Sequence, residues 1–179
     1  MARRTVIIAG ASGLVGRELL QGLLAEPTVA AVHSLGRRPL DVQHAKLQTY
    51  LTDFKVLPRL PAADEAYLAL GSTKKAAGSQ AAFRAVDHDA TLAVAAAALA
   101  AGVTKMRLVR VIGADQRSAF FYSRMKGEVE MLGHAVNRLF GFCIPRNFKP
   151  IRAATVARVL LSAVPTATGR SVLLLGEMR

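Results

Sequence analysis

The chain has 179 residues, 52% hydrophobic and 20% charged, with 24 Lys and Arg against 12 Asp and Glu for a formal charge of +12. That composition excludes a disordered chain and suits one domain over 1–179 with a continuous core. No apolar run reaches the roughly 18–20 residues of a membrane span. The lone Cys143 permits neither an internal disulfide nor a structural zinc site, which leads to the expectation of a reducing cytoplasm.

In chain order, Thr5–Ala9 is an apolar, β-branched run of the kind buried on both faces of a sheet. It leads into glycines rather than a cleavage site, so it reads as a first strand and not a signal peptide. Helical periodicity follows over Leu14–Leu24 and ends near Pro27. Val29–Leu35 predicts a second strand, Ala45–Leu51 a weaker third, and Ala66–Leu70 a fourth, with Asp64 and Glu65 just ahead of it. An Ala-rich helix is expected from about Gln80 to Ala101, stopped by Gly102. Met106–Ile112 predicts a fifth strand, Phe120–Val136 a helix, Arg138–Pro150 a loop, Ile151–Val164 a helix and Ser171–Leu175 a final strand. Strands alternating with helices predict an α/β doubly wound parallel sheet, the Rossmann fold.

The charge is skewed: residues 1–100 carry 11 basic and 8 acidic side chains, and 101–179 carry 13 and 4. The basic residues form neither a stripe nor a cluster interleaved with aromatics, which argues against nucleic acid as the partner.

The first strand runs straight into Gly10-Ala11-Ser12-Gly13-Leu14-Val15-Gly16 and then a helix. In that context Gly10 permits the tight turn, Gly13 lets the backbone approach a pyrophosphate, and Gly16 lets helix pack on strand. The helix N-terminus adds open N–H groups and partial positive charge. After the second strand, where an NAD site places Asp or Glu on the ribose 2′-hydroxyl, this chain has Arg37 and Arg38. Two guanidinium groups suit a 2′-phosphate, so NADP is expected over NAD.

Tyr122 and Lys126 form a Y-x-x-x-K pair on one helical face, where the ammonium can lower the phenol's pKa. With GASGLVG at 10–16, LGRRPL at 35–40, ALGSTKKAAGSQAAFRAVDHD at 69–89 and IGADQRSAFFYSRMKGEVE at 112–130, the chain resembles the short-chain dehydrogenase/reductase superfamily. It is most similar to the atypical, NmrA-like branch that includes the Tat-interacting-protein-type oxidoreductases. The resemblance implies that Asp53 and Phe54 meet the adenine, and that Leu70, Gly71 and Ser72 line the cofactor's ribose and phosphates. It also implies Tyr122 as catalytic acid/base with Lys126 as its partner, a small-molecule substrate, and a homodimer formed by helices of this region.

Two departures from the family stand out. Its usual strand-end Ser, which shares the substrate carbonyl with Tyr, falls here on Arg110 or Val111; losing one such donor costs ~10²–10³ in rate. After the Tyr–Lys helix the family's sixth strand is missing from the pattern. Either the sheet is shortened there, reducing the substrate side after about residue 131, or the sequence lacks roughly 25–40 residues of a usual domain. Two functional readings follow. One is an NADP-dependent oxidoreductase, or epimerase- or dehydratase-like protein, acting on a small carbonyl or alcohol. The other is a non-catalytic NADP(H)-binding redox sensor or regulatory module.

Overall fold

The computed structural model describes residues 3–71, 78–109 and 152–162. Among these, five strands form one parallel sheet in the order β3-β2-β1-β4-β5. They are β1 Arg4–Ala9, β2 Val29–Gly36, β3 Leu47–Leu51, β4 Glu65–Leu68 and β5 Lys105–Leu108. Helices α1 Leu14–Ala25, α2 Gln80–Arg84, α3 Ala90–Ala100 and α4 Ala153–Ser162 accompany them. The α/β doubly wound architecture is the one the pattern predicts.

Central β1 explains the two-sided core. Val6, Ile7, Ile8 and Ala9 are all fully buried, and alternation divides them between faces. Val6 and Ile8 pack with Leu19, Leu20 and Leu23 of α1 and Ala157 of α4. Ile7 and Ala9 pack with Val94 and Ala98 of α3. Helix α1 is flanked by Gly13 at its start and Glu26 at its end, ahead of Pro27. There the Lys46 Nζ donates to the Leu24 and Glu26 carbonyls at 3.2 and 2.9 Å, a cation on the negative end of the helix. Gly22 gives α4 its seat, since a Cβ there would overlap the Leu161 side chain.

Several boundaries differ from the sequence reading for identifiable reasons. Strand β3 starts at Leu47 because Ala45 and Lys46 turn around His44, whose carbonyl accepts the Leu47 N–H at 2.9 Å. Strand β4 takes in Glu65, which is 3% exposed, and closes at Leu68 rather than Leu70. A carboxylate is tolerated inside because Arg4 on β1 pairs with it at 3.1 Å and the Tyr67 hydroxyl donates to it at 3.3 Å. The predicted single helix over 80–101 is α2, a π-helical turn at Ala85–Asp89, and α3. It does stop at Gly102, whose φ of +90° allows Gly102 and Val103 to donate back to Leu99 and Ala98. The predicted strand Met106–Ile112 is described as Lys105–Leu108, and the helix expected over 151–164 as Ala153–Ser162. The helix expected at 120–136, the loop at 138–150, the strand at 171–175 and the shortening after the Tyr–Lys helix lie outside the described residues.

Candidate functional site

Parallel sheets bind ligands at the carboxyl ends of their strands, where the chain order reverses. Here the reversal lies between β1 and β4, and of the sequence-predicted residues 10–16, Arg37, Arg38, Asp53, Leu70 and Gly71 follow the ends of the strands around it. Gly10 leaves β1 at φ +88° and donates its N–H to the Leu35 carbonyl of β2 at 3.3 Å. A Cβ at Gly10 would stand 2.5 Å from the Ala69 carbonyl oxygen and 2.9 Å from the Leu70 nitrogen, both just past β4. The loop is thus wedged between two strand ends. Next, the Gly13 N–H closes a turn on the Gly10 carbonyl at 3.0 Å. One helical turn on, a Cβ at Gly16 would overlap that same carbonyl. Gly10 and Gly16 therefore fix the loop against backbone, while Gly13 is exposed and keeps open space on its outer side.

The start of α1 is built to receive negative charge. Gly13 precedes the helix without a side-chain cap, and the first turn has no acidic residue. Its N–H groups therefore face outward with the helix's partial positive charge. Ser12 and Leu14 are exposed beside them, Leu14 at 83%, whereas Val15 is half-buried against the α1 core.

At the end of β2, Arg37 and Arg38 are both exposed, and neither is ion-paired among the described residues. The Thr52 N–H donates to the Gly36 carbonyl at 2.9 Å, which brings the end of β3 alongside them. The turn after β3 separates the two residues expected at the adenine. Asp53 is exposed, with its carboxylate accepting the Lys55 N–H at 2.9 Å. Phe54 takes a left-handed φ of 68° and is 6% exposed, packed in the core with Leu35, Leu60 and Leu68. Its conformation costs about 1–2 kcal/mol, which burial of the ring offsets. Asp53 is thus open to solvent after β3, whereas the Phe54 ring is buried. Leu70 is half-buried and Gly71 exposed after β4. Ser72, Arg110, Tyr122 and Lys126 lie outside the described residues.

A pyrophosphate fits this cradle, since two Cβ positions are closed by backbone and an uncapped helix start faces outward. The residues that directly follow β2 are the exposed Arg37 and Arg38, with Asp41 the first carboxylate beyond them. The residue the sequence did not reveal is Ala69, whose backbone forms the wall behind Gly10; its only sequence signal is its place at the end of an apolar strand. Among the described residues no His, Cys, Asp and Glu cluster could hold a metal, and no helix is long and apolar enough to cross a membrane.

No established family profile matches the chain. It is 34% identical over 142 residues to "Protein FMP52, mitochondrial" of Coccidioides immitis, covering 70% of this chain and 58% of that protein. It is 34% identical over 137 residues to protein HTATIP2 of Rattus norvegicus, covering 73% and 56%. The chain therefore spans a little over half the length of the curated relatives it matches. Among solved structures, an oxidoreductase of the short chain dehydrogenase/reductase family from Burkholderia thailandensis aligns over 93% of this chain and 87% of its own. Its TM-score is 0.61 at 17% identity, which establishes the Rossmann-type fold. The expectation of a cytoplasmic setting is corrected by these comparisons. The fungal relatives are named as mitochondrial proteins, and one cysteine does not separate one reducing compartment from another.

Proposed function

This chain belongs to the atypical short-chain dehydrogenase/reductase family, and from that premise we propose that it binds NADP in the Gly10–Gly16 cradle and serves as an oxidoreductase on a small carbonyl or alcohol. The observation that carries this reading is the loop itself: Gly10 and Gly16 sealed by backbone, Gly13 open, and an uncapped helix start behind them. The nicotinamide supplies the hydride chemistry when bound. The chain's part is to hold the diphosphate on the N–H groups of α1 and the 2′-phosphate on Arg37 and Arg38, with Asp53 at the adenine and Leu70, Gly71 and Ser72 beside the ribose and phosphates. Family resemblance supports Tyr122 as the group that moves a proton at the substrate oxygen and Lys126 as the cation that keeps the phenol acidic enough to do so.

Titration of NADPH and NADH by fluorescence, followed by turnover on a panel of carbonyl compounds, tests this. Tighter binding of NADPH and a rate that falls by about 10²–10⁴ in Tyr122→Phe are expected. Preference for NADH, or a rate unmoved by Tyr122→Phe, overturns it. A second reading, an NADP(H)-binding sensor without turnover, is favoured by Arg110 and Val111 standing where the family carries its Ser. Tight binding without turnover on any carbonyl identifies that case.

A further inference from the structure

We propose that Thr52 and Asp53 set how strongly this site prefers a 2′-phosphorylated ribose. The Thr52 hydroxyl braces the turn after β3 so that the Asp53 carboxylate stays on its own backbone and off Arg37 and Arg38. The inference rests on the reading of those two arginines as the 2′-phosphate ligands.

Strand pairing brings the three charged residues to one place. Gly36 at the end of β2 lies opposite Leu51 at the end of β3, and the Thr52 N–H donates to the Gly36 carbonyl at 2.9 Å. Arg37 and Asp53 are the next residues along these neighbouring strands, whose axes run about 4.8 Å apart. That separation is within the span of an extended arginine side chain. Arg37, Arg38 and Asp53 are all exposed, yet no ion pair joins them among the described residues.

The carboxylate is engaged at home instead. Asp53 Oδ1 accepts the Lys55 N–H at 2.9 Å. Thr52 holds the backbone that makes this possible: its Oγ1 accepts the Phe54 N–H at 3.1 Å and donates to the Val56 carbonyl at 3.1 Å, bracing the chain on either side of Lys55. Phe54 has a left-handed φ of 68°, unfavourable for a residue with a Cβ. The turn therefore has reason to relax once those two bonds are lost.

The consequence is electrostatic. Two guanidinium groups with no carboxylate laid on them meet an incoming phosphate at full charge. A released Asp53 would neutralise part of that charge and have to be displaced before the phosphate could bind. NADH lacks the phosphate and is indifferent to the exchange. An exposed ion pair is worth at most about fivefold in an equilibrium constant, which sets the scale.

Fluorescence titration of the full chain with NADPH and NADH, at low salt and at about 0.5 M, tests this. Thr52→Val keeps the side chain's shape and drops the hydroxyl; it should lower the preference for NADPH over NADH about three- to fivefold at low salt. Its difference from the parent should shrink at high salt, where the Debye length is only ~4 Å. Thr52→Ser, which keeps both hydroxyl bonds, should retain the parental ratio, and adding Asp53→Asn to Thr52→Val should restore it. Asp53→Glu, an exposed change whose longer side chain no longer fits the Lys55 N–H, should lower the ratio as Thr52→Val does, and it decides the matter should Thr52→Val fail to fold. An unmoved ratio, a loss that Asp53→Asn does not reverse, or equal weakening of both cofactors overturns this proposal alone, since the parent's preference for NADPH still stands. A parent without that preference overturns the cofactor reading and this proposal with it.

Discussion

A methyl group added at Gly16 would run into the carbonyl of Gly10 and stand 3.0 Å from the Ala11 Cα, backbone against backbone with no side chain free to give way. Overpacking of this kind costs about 1–3 kcal/mol. With a urea m-value of roughly 2 kcal/mol/M for a chain of this size, the Gly16→Ala midpoint should fall by about 0.5–1.5 M. Gly13→Ala offers the contrast. Its φ of −79° suits any residue, and its Cβ would meet only the Gly10 carbonyl oxygen, at 3.3 Å. Alanine is a poorer N-cap than glycine by up to ~1 kcal/mol, and it recovers about 0.4–1 kcal/mol by restricting the unfolded chain. The two effects nearly cancel, so the Gly13→Ala midpoint should move by less than about 0.3 M. Its NADPH affinity should nonetheless fall tenfold or more, about 1.4 kcal/mol, because the added methyl occupies the space the diphosphate needs. Urea denaturation followed by circular dichroism, with NADPH fluorescence titration on the same samples, reads both quantities. Equal midpoint shifts in the two variants, or native NADPH affinity in Gly13→Ala, would refute the division of labour assigned to these glycines.

Replacing Arg37 and Arg38 together with alanine should weaken NADPH roughly tenfold or more and leave NADH nearly unchanged; calorimetric dissociation constants for both cofactors check this, and an unaltered ratio removes the arginines from the site. Glu65→Ala leaves the buried Arg4 contact broken and the Tyr67 hydroxyl without its acceptor, which should cost about 3 kcal/mol, the low end for a buried pair because the Arg4 side chain keeps 20% exposure. Glu65→Gln should cost less in the same denaturation assay, and equal losses would mean the charge is irrelevant. His33 is 8% exposed, and burial pushes its pKa below the ordinary 6.5 against an opposing hydrogen bond with Gln48. The unfolded chain then binds the extra proton first, so the stability His33 confers is full above pH 6.5 and is lost as the pH falls through 6.5 toward the folded-state value. His33→Gln should flatten the midpoint-versus-pH curve over that window; an unchanged curve would exclude His33 as its source.

The sequence by itself determined the parts of this protein that are governed by local interactions. The apolar run at 5–9, the glycine spacing at 10–16, the helical period of α1 and the Gly102 stop each depend on neighbours within a few residues, and each stands in the structure where the pattern places it. The cradle's geometry was legible for the same reason, because a strand, a tight turn and a helix start are consecutive in the chain. The tertiary structure decided what long-range partners control. Glu65 reads as a residue just ahead of a strand until Arg4, 61 positions away, folds onto it. Phe54 reads as a ligand contact until the core on the α3 face claims its ring through a left-handed turn. That Gly10 needs the backbone of Ala69 behind it follows from strand order alone, which sets β4 beside β1. Side-chain identity sets which local geometry is cheap, but which face is buried and which strands are neighbours depend on contacts that exist only once distant segments have met.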